Sequence, residues 1–259
     1  MNKKILVAIF TLVALAGRAQ GKKTFLFIGA HPDDETAIAE VLVKYRQQGF
    51  KTIVMFATDG KGGTRVTNIP AGDSLGTLRR QEAVCACEKL GIEPPVFLGI
   101  ERLDTRIGVG RYFSEHARLL DTLKKQLLHI NPDVIVTFGP DGDTHHSEHI
   151  VVGSAVTELL LREGWVEKFP LYYFAWTKSQ GEPNRLGYVK VEYFNVRIDY
   201  SPEQEMIGLQ AMNCYKTQFT QDELKEDFGK KVADHFNTMF FRRFAVAKGL
   251  ANDFDLKKN

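Results

Sequence analysis

Short apolar runs alternate along the chain with longer segments in which apolar residues recur every three or four positions. The short runs have the length and the β-branched or aromatic content of buried strands, and they cover Phe25–Ile28, Lys51–Ala57, Val96–Leu98 and Val134–Phe138. The longer segments are typical of helices, and they cover Asp33–Gln48, Leu75–Leu90, Phe113–His129 and Glu148–Glu163. This alternation predicts βαβ units and therefore an α/β fold built on a mostly parallel sheet.

The pattern changes after Pro170, where strand-like runs no longer alternate regularly with helices. Leu171–Trp176 and Val189–Ile198 are typical of strands, and we expect them to form an antiparallel extension of the sheet. Helices are expected at Pro202–Tyr215 and over residues 222–250. The aromatic side chains of the first of these strands could stack on a sugar, although core packing is the commoner use of such residues.

Residues 1–19 have the pattern of a signal peptide rather than of folded structure. Lys3 and Lys4 precede an apolar core at Ile5–Ala16, and small residues lead up to Ala19, after which we expect cleavage. Export to the periplasm or secretion follows from this interpretation, and the alternative is an uncleaved anchor. The apolar core is short for a membrane span and no second run is long enough, so we expect no stable membrane insertion. Residues 20–259 are then expected to form a single domain.

Charge and cysteine content narrow the choice of function. Removal of residues 1–19 takes away three of the 34 basic residues and none of the 32 acidic ones. The remaining chain is nearly neutral, so nucleic acid is not an expected partner. Cys85, Cys87 and Cys214 imply neither a pair of metal-binding thiolates nor a disulfide framework. We expect all three to be small residues of the core.

A cluster of polar residues follows the first predicted strand directly. Gly29 and Ala30 allow a tight turn, and His31 is then followed by Pro32 and three consecutive acidic residues. Acidic residues after a proline are ordinary signals of a helix start, so a purely structural role is one interpretation. The other is a metal and acid–base site, because histidine and aspartate are common zinc ligands. The carboxyl end of a buried strand is also where open α/β sheets bind ligands.

A second cluster follows the strongest strand-like run and contains three of the seven histidines within five residues. His146 and His149 are three positions apart, so a helix would place them on one face, and a parallel sheet would bring them to the same edge as His31. Together the two clusters supply three candidate metal ligands, His31, Asp34 and His149. Such a set leaves a catalytic zinc ion one position for water. Asp33 and His146 remain for chemistry, and His145 is the competitor for a ligand role.

Five segments resemble motifs of the PIG-L/LmbE-like zinc-dependent N-deacetylases, and together they cover most of the chain between residues 24 and 219. Ala30–Glu35 is similar to the first motif of that family, and His146–His149 is similar to its second motif, His-Pro-Asp-His. Weaker similarities to an arginine-bearing helix start, a substrate-side loop and a late Ser-Gln-Phe motif occur at Gly76–Ala83, Leu103–Arg106 and Tyr215–Phe219. The pairing of the first two motifs is the specific part of the resemblance.

The resemblance implies a Rossmann-like fold with helices on both faces of the sheet and no bound dinucleotide. The sequence agrees, because Gly29 does not begin the Gly-x-Gly-x-x-Gly pattern that dinucleotide binding requires. The resemblance also implies individual roles: zinc held by His31, Asp34 and His149, Asp33 as general base, His146 as partner of the oxyanion, and substrate contacts from Arg79, Asp104 and Arg106. Ser147-Glu148 departs from the Pro-Asp of the second motif. Glu148 keeps a carboxylate that could orient a histidine from outside the ligand set.

The expected activity is hydrolysis of an N-acetyl group from an N-acetylglucosamine-type amino sugar or glycoconjugate by metal-activated water. Iron(II) or cobalt(II) could replace zinc with such ligands. Two alternatives stay open: a zinc amidase that removes a larger acyl group from an amino sugar, and a carbohydrate-binding protein with a structural metal. The open fourth position and the spare carboxylate of Asp33 argue against a structural metal, since structural zinc normally has four protein ligands. A homo-oligomer also stays open.

Overall fold

The computed structural model of the chain describes residues 22–226 and 237–249. The predicted signal peptide at 1–19 lies outside the described residues, and so does part of the helix predicted over residues 222–250. Within the part of the chain that the structure describes, no helix is both long enough and apolar enough to cross a membrane.

The described residues contain one seven-stranded sheet. Its strands are β1 (Thr24–Gly29), β2 (Lys51–Phe56), β3 (Val96–Phe97), β4 (Val134–Phe138), β5 (Leu171–Ala175), β6 (Val196–Asp199) and β7 (Thr238–Arg243). They are arranged in the order β3-β2-β1-β4-β5-β7-β6. Neighbours among β1 to β5 are parallel, whereas β7 is antiparallel to both β5 and β6. The predicted mostly parallel sheet with an antiparallel C-terminal extension is confirmed. The expectation that Leu171–Trp176 belongs to that extension is wrong, because β5 continues the parallel part of the sheet beside β4 and the antiparallel pairs involve β7.

The helices fill most of the connections between strands. They are α1 (Ala39–Gln47), α2 (Asp73–Leu90), α3 (Val109–Ile130), the short turn α4 (Gly142–His145), α5 (Ser147–Arg162), α6 (Lys178–Gly181) and α7 (Pro202–Met212). Single 3-10 turns occur at Asp34–Ile38, Thr105–Ile107, Glu182–Asn184 and Val191–Tyr193. Residues 221–226 are also helical.

Both faces of the sheet are covered because the chain crosses over in two directions. From β1 the chain passes through α1 to β2 on one side, and from β4 it passes through α5 to β5 on the other. Crossovers between parallel strands are right-handed in nearly all proteins, so α1 and α5 lie on opposite faces. In agreement, α1 and α2 contact α7, whereas α3 contacts α5. The direction of the connections reverses between β1 and β4, and such a switch point is where α/β sheets bind ligands.

The two central strands are the most buried part of the sheet. All residues of β1 are buried, and so are the residues of β4 from Ile135 onward. A strand covered on both faces favours a continuous apolar run over alternation, which is the pattern that both sequences show. Phe27, Phe138 and Phe174 pack together with ring centroids 5.6–6.3 Å apart. This packing fixes the ends of β1 and β4, from which the polar loops emerge.

The helix predicted over residues 222–250 is wrong for its described C-terminal part, which forms β7. Met239 and Phe241 are buried while the residues next to them are half-exposed, and this alternation is the period of a strand. β7 pairs with β5, where Phe241 lies opposite Phe174. The strand predicted to begin at Val189 begins only at Val196 and is preceded by a 3-10 turn.

The prediction for the cysteines is wrong for two of the three. A disulfide joins Cys85 on α2 to Cys214, which follows α7. Cys87 is free and buried, as expected. The spacing of Cys85 and Cys87 places them on different sides of α2. The approach of Cys214 depends instead on how the end of α7 packs on α2, a contact across 129 positions that no local pattern reveals.

Candidate metal centre and active site

The loops that follow β1 and β4 meet at the switch point of the sheet. The chain turns sharply after Gly29, where an added Cβ would come within 3.0 Å of Asp34. Asp34 closes this turn, because its Oδ2 accepts hydrogen bonds from the backbone N–H groups of Ala30 (2.6 Å) and His31 (2.8 Å). Asp33 has a backbone φ of +111°, which is uncommon for a residue other than glycine and occurs most often at functional sites.

Four side chains place possible ligand atoms around one point. Asp34 Oδ1 lies 3.8 Å from His31 Nδ1 and 3.1 Å from His149 Nε2. One ligand atom from each of His31, His146 and His149 lies within 4.8 Å of the other two. Zinc binds nitrogen and oxygen tetrahedrally at about 2.0–2.2 Å, which places neighbouring ligand atoms roughly 3.3–3.6 Å apart. Spacing and donor chemistry therefore fit a divalent transition-metal ion.

The far ring nitrogens of two of these histidines are already bound, which leaves the near ones available. His31 Nε2 lies 2.7 Å from Glu148 Oε2, and His149 Nδ1 lies 3.0 Å from Gly142 O. A carboxylate or carbonyl behind a ligating histidine fixes the orientation and the tautomer of its ring. The His149 ring is further held by stacking on Phe138, with the ring centroids 4.1 Å apart. His31 Nδ1 and His149 Nε2 are therefore the nitrogens that a metal ion would meet.

The charges of the cluster depend on one another. Burial alone would raise the pKa of Asp34, but His149 and His31 hold that pKa well below its ordinary value. Burial alone would lower the pKa of His31, but its hydrogen bonds to Asp34 and Glu148 raise it to about 10. The buried carboxylates of Asp34 and Glu148 are therefore stabilised by positive charge between them. Either protons or a metal ion can supply that charge.

His146 caps the helix that carries His149. Its Nδ1 accepts a hydrogen bond from the backbone N–H of Glu148 (3.2 Å) at the start of α5. Burial and the neighbouring His31 lower the pKa of His146 to about 4, so the ring is neutral near pH 7 and its proton lies on Nε2. The ring centroid is 5.0 Å from that of His31 and 4.8 Å from that of His149. His145, in contrast, is exposed with φ +59° and lies outside the histidine cluster of the described residues.

Asp33 lies beside the candidate ligands but contacts a cation instead. Arg79 Nη2 donates to Asp33 Oδ1 (3.1 Å) and to Pro32 O, and its Nη1 donates to Gly60 O (2.8 Å). Burial raises the pKa of Asp33 to about 6, and the positive charge of Arg79 limits that rise. Only 2% of Arg79 is exposed, so its guanidinium holds the loop around Asp33 through these hydrogen bonds. The expected contact between Arg79 and a sugar stays a prediction.

The substrate-side loop expected from the resemblance is attached to the site by Glu148. Glu148 Oε1 accepts a hydrogen bond from the backbone N–H of Leu103 (2.5 Å). Asp104 is buried and accepts hydrogen bonds from Arg102 (2.7 Å) and Arg106 (2.6 Å). Burial alone would raise the pKa of Asp104, but the two arginines lower it to about 2. Asp104 therefore holds the two arginines, and the Arg106 side chain remains 69% exposed at the loop surface.

Sequence reasoning does not single out Glu35 and Glu82, yet both are buried beside the site and bonded to the late motif. Tyr215 Oη donates to Glu35 Oε1 (2.5 Å). Thr217 donates to Glu82 through its backbone N–H (2.9 Å) and through its hydroxyl (2.6 Å). The signal that could have found the two glutamates is the resemblance of Tyr215–Phe219 to a family motif, which marks the segment without its role.

Comparison with protein families gives a match that spans both polar clusters. A family model described as PIG-L: GlcNAc-PI de-N-acetylase matches residues 26–160. The matched region begins in β1 and ends in α5, so it contains both polar clusters and the loop between Leu103 and Arg106.

Named relatives are deacetylases of sugar conjugates. A protein of Mycolicibacterium vanbaalenii described as 1D-myo-inositol 2-acetamido-2-deoxy-alpha-D-glucopyranoside deacetylase is 28% identical in an alignment 204 residues long, and the match covers 68% of this chain and 68% of that protein. Five other proteins of the same description are matched over 59–63% of their length, so this chain spans about three fifths of each of these five. A Bacillus subtilis protein described as probable N-acetyl-alpha-D-glucosaminyl L-malate deacetylase 2 is 28% identical over 208 residues, covering 79% of this chain and 87% of that protein.

A solved structure described as the zinc inhibited form of teicoplanin deacetylase Orf2 has a similar backbone. It aligns with a TM-score of 0.63 at 15% sequence identity, covering 87% of this chain and 100% of that chain. At this identity the likeness shows a shared fold and leaves the reaction to be argued from the site.

Proposed function

The chain belongs to the PIG-L family, and from that premise we propose that it is an exported, zinc-dependent hydrolase that removes an N-acetyl group from an N-acetylglucosamine-type amino sugar or glycoconjugate. The observation that carries the proposal is the position of Asp34 Oδ1, which lies 3.8 Å from His31 Nδ1 and 3.1 Å from His149 Nε2, beside the cluster of His31, His146 and His149. Asp33 and His146 stand beside these three atoms without being needed as ligands.

Zinc is proposed as the metal because the three donors are two imidazole nitrogens and one carboxylate oxygen, a set found in catalytic zinc sites with an open position. Iron(II) and cobalt(II) accept the same donors. One structural relative is described as a zinc inhibited form. The metal that this chain binds should therefore be identified by direct measurement. The proposed set excludes His146, because its Nδ1 caps α5 and its Nε2–H is better used as a donor.

The reaction would proceed by attack of water on the amide carbonyl. A metal ion held by His31, Asp34 and His149 would polarise that carbonyl and lower the pKa of the attacking water. Asp33 would accept a proton from this water, since its carboxylate is half-exposed and its pKa is raised towards neutrality. As the C–N bond breaks, Asp33 would return that proton to the nitrogen. The products are then acetate and a free amine.

His146 would stabilise the negative charge that develops on the carbonyl oxygen. Because its Nδ1 accepts the Glu148 N–H bond, a neutral His146 carries its proton on Nε2 and can donate without being charged. Arg79 would keep Asp33 oriented through its 3.1 Å contact, and Glu148 would orient His31.

Two observations support export. The first is the basic, apolar and small-residue pattern of residues 1–19. The second is the Cys85–Cys214 disulfide, because such bonds persist mainly in oxidising compartments. An exported deacetylase would meet glycans of the cell envelope or the surroundings. Expression of the whole chain in a Gram-negative host, followed by N-terminal sequencing of the periplasmic protein, should give Gln20 as first residue. Recovery of uncleaved chain in the cytosol only would contradict export.

The test of the reaction is acetate release from a panel of N-acetylated amino sugars by the chain that begins at Gln20. We expect release with zinc, loss of release after chelation and recovery when zinc is returned. His149→Ala serves as the control that cannot bind the metal fully. Protein that holds zinc but releases no acetate from any member of the panel would overturn the proposal. The same panel with longer acyl groups tests the amidase alternative, and glycan binding without hydrolysis would favour a binding protein.

A further inference from the structure

A five-residue segment after α7 makes several buried contacts that the proposed reaction does not explain. It comprises Cys214–Gln218, which we refer to as the Cys214–Gln218 segment, and it contains most of the late motif. Tyr215, Thr217 and Gln218 are buried. Each of them bonds to a different residue outside the segment, and Cys214 forms the disulfide with Cys85 on α2.

The first connection reaches the backbone of Asp33. Tyr215 Oη donates to Glu35 Oε1 at 2.5 Å, and the other oxygen of that carboxylate, Oε2, accepts from the Asp33 N–H at 3.2 Å. Tyr215 and Glu35 are both fully buried, so water does not compete for these bonds. The Asp33 backbone has a φ of +111°, and a bond to its N–H helps to hold that uncommon conformation.

The second connection reaches the Asp33 side chain. Thr217 donates twice to Glu82, through N–H at 2.9 Å and through Oγ1 at 2.6 Å. Glu82 lies one helical turn from Arg79 on α2, so both project from the same face. Arg79 in turn donates to Asp33 Oδ1 and to Pro32 O. Contacts that hold Glu82 in place therefore also restrain the neighbouring Arg79 guanidinium, which donates to the Asp33 carboxylate.

The third connection closes the loop behind Arg79. Gln218 Nε2 donates to Gly63 O at 3.2 Å, and Gly63 N–H donates to Gly60 O at 2.9 Å. That same Gly60 oxygen accepts from Arg79 Nη1. An added Cβ at Gly63 would lie 2.5 Å from Arg79 Nη1, so the loop packs tightly on the guanidinium.

The disulfide joins the Cys214–Gln218 segment to α2. Arg79, Glu82 and Cys85 are spaced by three residues along α2, so Glu82 neighbours both Arg79 and Cys85 on the surface of the helix. The bond from Cys85 to Cys214 thus holds the Cys214–Gln218 segment in register with the residues that contact Asp33. Loss of the covalent bond would let the segment and the helix move apart without touching the metal ligands.

We propose that the Cys214–Gln218 segment, pinned to α2 by the Cys85–Cys214 disulfide, is a brace that positions Asp33 for proton transfer. The proposal rests on the proposed function, because it takes Asp33 as the base. Tyr215, Thr217 and Glu82 are then positioning residues of the reaction. Turnover depends on the oxidised disulfide, and the enzyme reaches full activity only where that bond forms. Metal binding does not depend on it.

A merely stabilising disulfide would have different effects. Loss of such a disulfide would lower the melting temperature and leave kcat of the folded protein unaltered. Loss of a brace on Asp33 lowers kcat while KM stays nearly constant, because the residues expected to touch substrate are elsewhere. Small misplacements of a catalytic group reduce rates by up to about a hundredfold.

The first experiment compares substitutions that remove one hydroxyl each. We expect Tyr215→Phe and Thr217→Val to lower kcat roughly tenfold or more, with KM within about twofold and zinc content unchanged. Thr217→Ser keeps the hydroxyl and should restore most of kcat. Thr122→Val is the matched control, because the Thr122 hydroxyl donates to Arg118 O within α3, far along the chain from these contacts. Wild-type kcat in Tyr215→Phe and Thr217→Val would overturn the brace.

The second experiment reads the position of Asp33 without activity. Hydrogen exchange of the zinc-loaded chain is followed before and after reduction with a phosphine, and in the double variant Cys85→Ser with Cys214→Ser. We expect faster exchange at the amides of residues 33–36 after reduction, no change at residues 146–150, and no effect of the phosphine on the double variant. Unchanged exchange at residues 33–36 would contradict the brace. If the wild-type chain releases no acetate at all, the proposed function fails, while this exchange experiment still decides the brace.

Discussion

Glu148 Oε2 lies 2.7 Å from His31 Nε2, and Oε1 of the same carboxylate lies 2.5 Å from the Leu103 nitrogen. One side chain thus joins a candidate metal ligand to the substrate-side loop. Glutamate is one methylene longer than the aspartate of the family motif, and here its two oxygens reach partners on two separate elements. Glu148 stands where the family motif has aspartate, and these two contacts are the structural consequence of that difference.

Replacement of Glu148 by glutamine should weaken metal binding. Both partners of the carboxylate, the Leu103 N–H and a protonated His31 Nε2, are donors, and a glutamine has only one acceptor oxygen to share between them. Loss of such support behind a ligand typically lowers metal affinity roughly 10- to 100-fold. Competition with a chromogenic chelator measures the change. Glu158→Gln on the exposed face of α5 is the control, and equal affinities for the two variants would show that Glu148 does not act through His31.

Replacement of His149 should remove the metal, whereas replacement of His145 should not. His149 Nε2 lies 3.1 Å from Asp34 Oδ1 inside the cluster, while His145 is exposed and outside it. We expect His149→Ala to lose stoichiometric zinc and His145→Ala to keep it, as measured by atomic emission on dialysed protein. Full zinc occupancy of His149→Ala would disprove the proposed ligand set.

Asp33→Asn should keep the metal and lose turnover. The substitution preserves the size of the side chain and removes the group that would accept the proton, while Asp34 and the histidines stay in place. Loss of a general base typically lowers the rate roughly 10²- to 10⁴-fold. Zinc content and kcat are measured on the same preparation. Turnover near that of the wild type in zinc-loaded Asp33→Asn would assign the proton transfer to another group.

The pH dependence of kcat/KM should report the ionisation of Asp33, the proposed base. Burial raises the pKa of Asp33 to about 6, and only the ionised carboxylate can accept a proton, so kcat/KM should rise with pH through this pKa. A bound divalent cation adds positive charge nearby and lowers the pKa, which places the acidic limb at or below about pH 6. Rates measured on both sides of pH 6 test the position of the limb. A limb that persists unchanged in the residual activity of Asp33→Asn would belong to a different group.

The sequence was sufficient to locate the site because its signals are local. The His31-Pro32-Asp33-Asp34 run and the His146 to His149 run each follow an apolar strand, and the parallel alternation places both at one edge of the sheet. The parallel part of the sheet follows from the same alternation of strand-like and helical segments. These inferences need no knowledge of how distant segments pack.

The features that the sequence did not reveal all depend on distant contacts. The Cys85–Cys214 bond joins residues 129 positions apart, and neither cysteine has a local pattern of a disulfide framework. Arg79 looks like an exposed helical residue, yet its guanidinium is buried because Gly60 and Pro32 offer carbonyl oxygens to it. β7 lies in a segment of mixed pattern, and it forms a strand because β5 supplies an unpaired edge for its backbone.

The close packing of α5 on β4 leads to a prediction about stability. An added Cβ at Gly153 would lie 2.4 Å from Phe138 O, a backbone atom that cannot move aside without distorting the strand. We expect Gly153→Ala to lower the free energy of unfolding by about 1–3 kcal/mol, as for other overpacked sites. In a chain of this size, each kcal/mol corresponds to a fall in Tm of about 2–4 °C.

A matched glycine separates this packing effect from the general effect of adding a methyl group to a helix. Gly110 lies in α3, where its added Cβ would meet no described atom within 4 Å apart from its chain neighbours and the nearby backbone of the same helix, and alanine is the better helix former by up to about 1 kcal/mol. Gly110→Ala should therefore leave Tm unchanged or raise it, whereas Gly153→Ala lowers it. Because Phe138 stacks on His149 and leads into the loop at the switch point, Gly153→Ala should also weaken zinc binding. A destabilised variant with undiminished zinc affinity would show that the α5–β4 contact supports the fold without setting the metal centre.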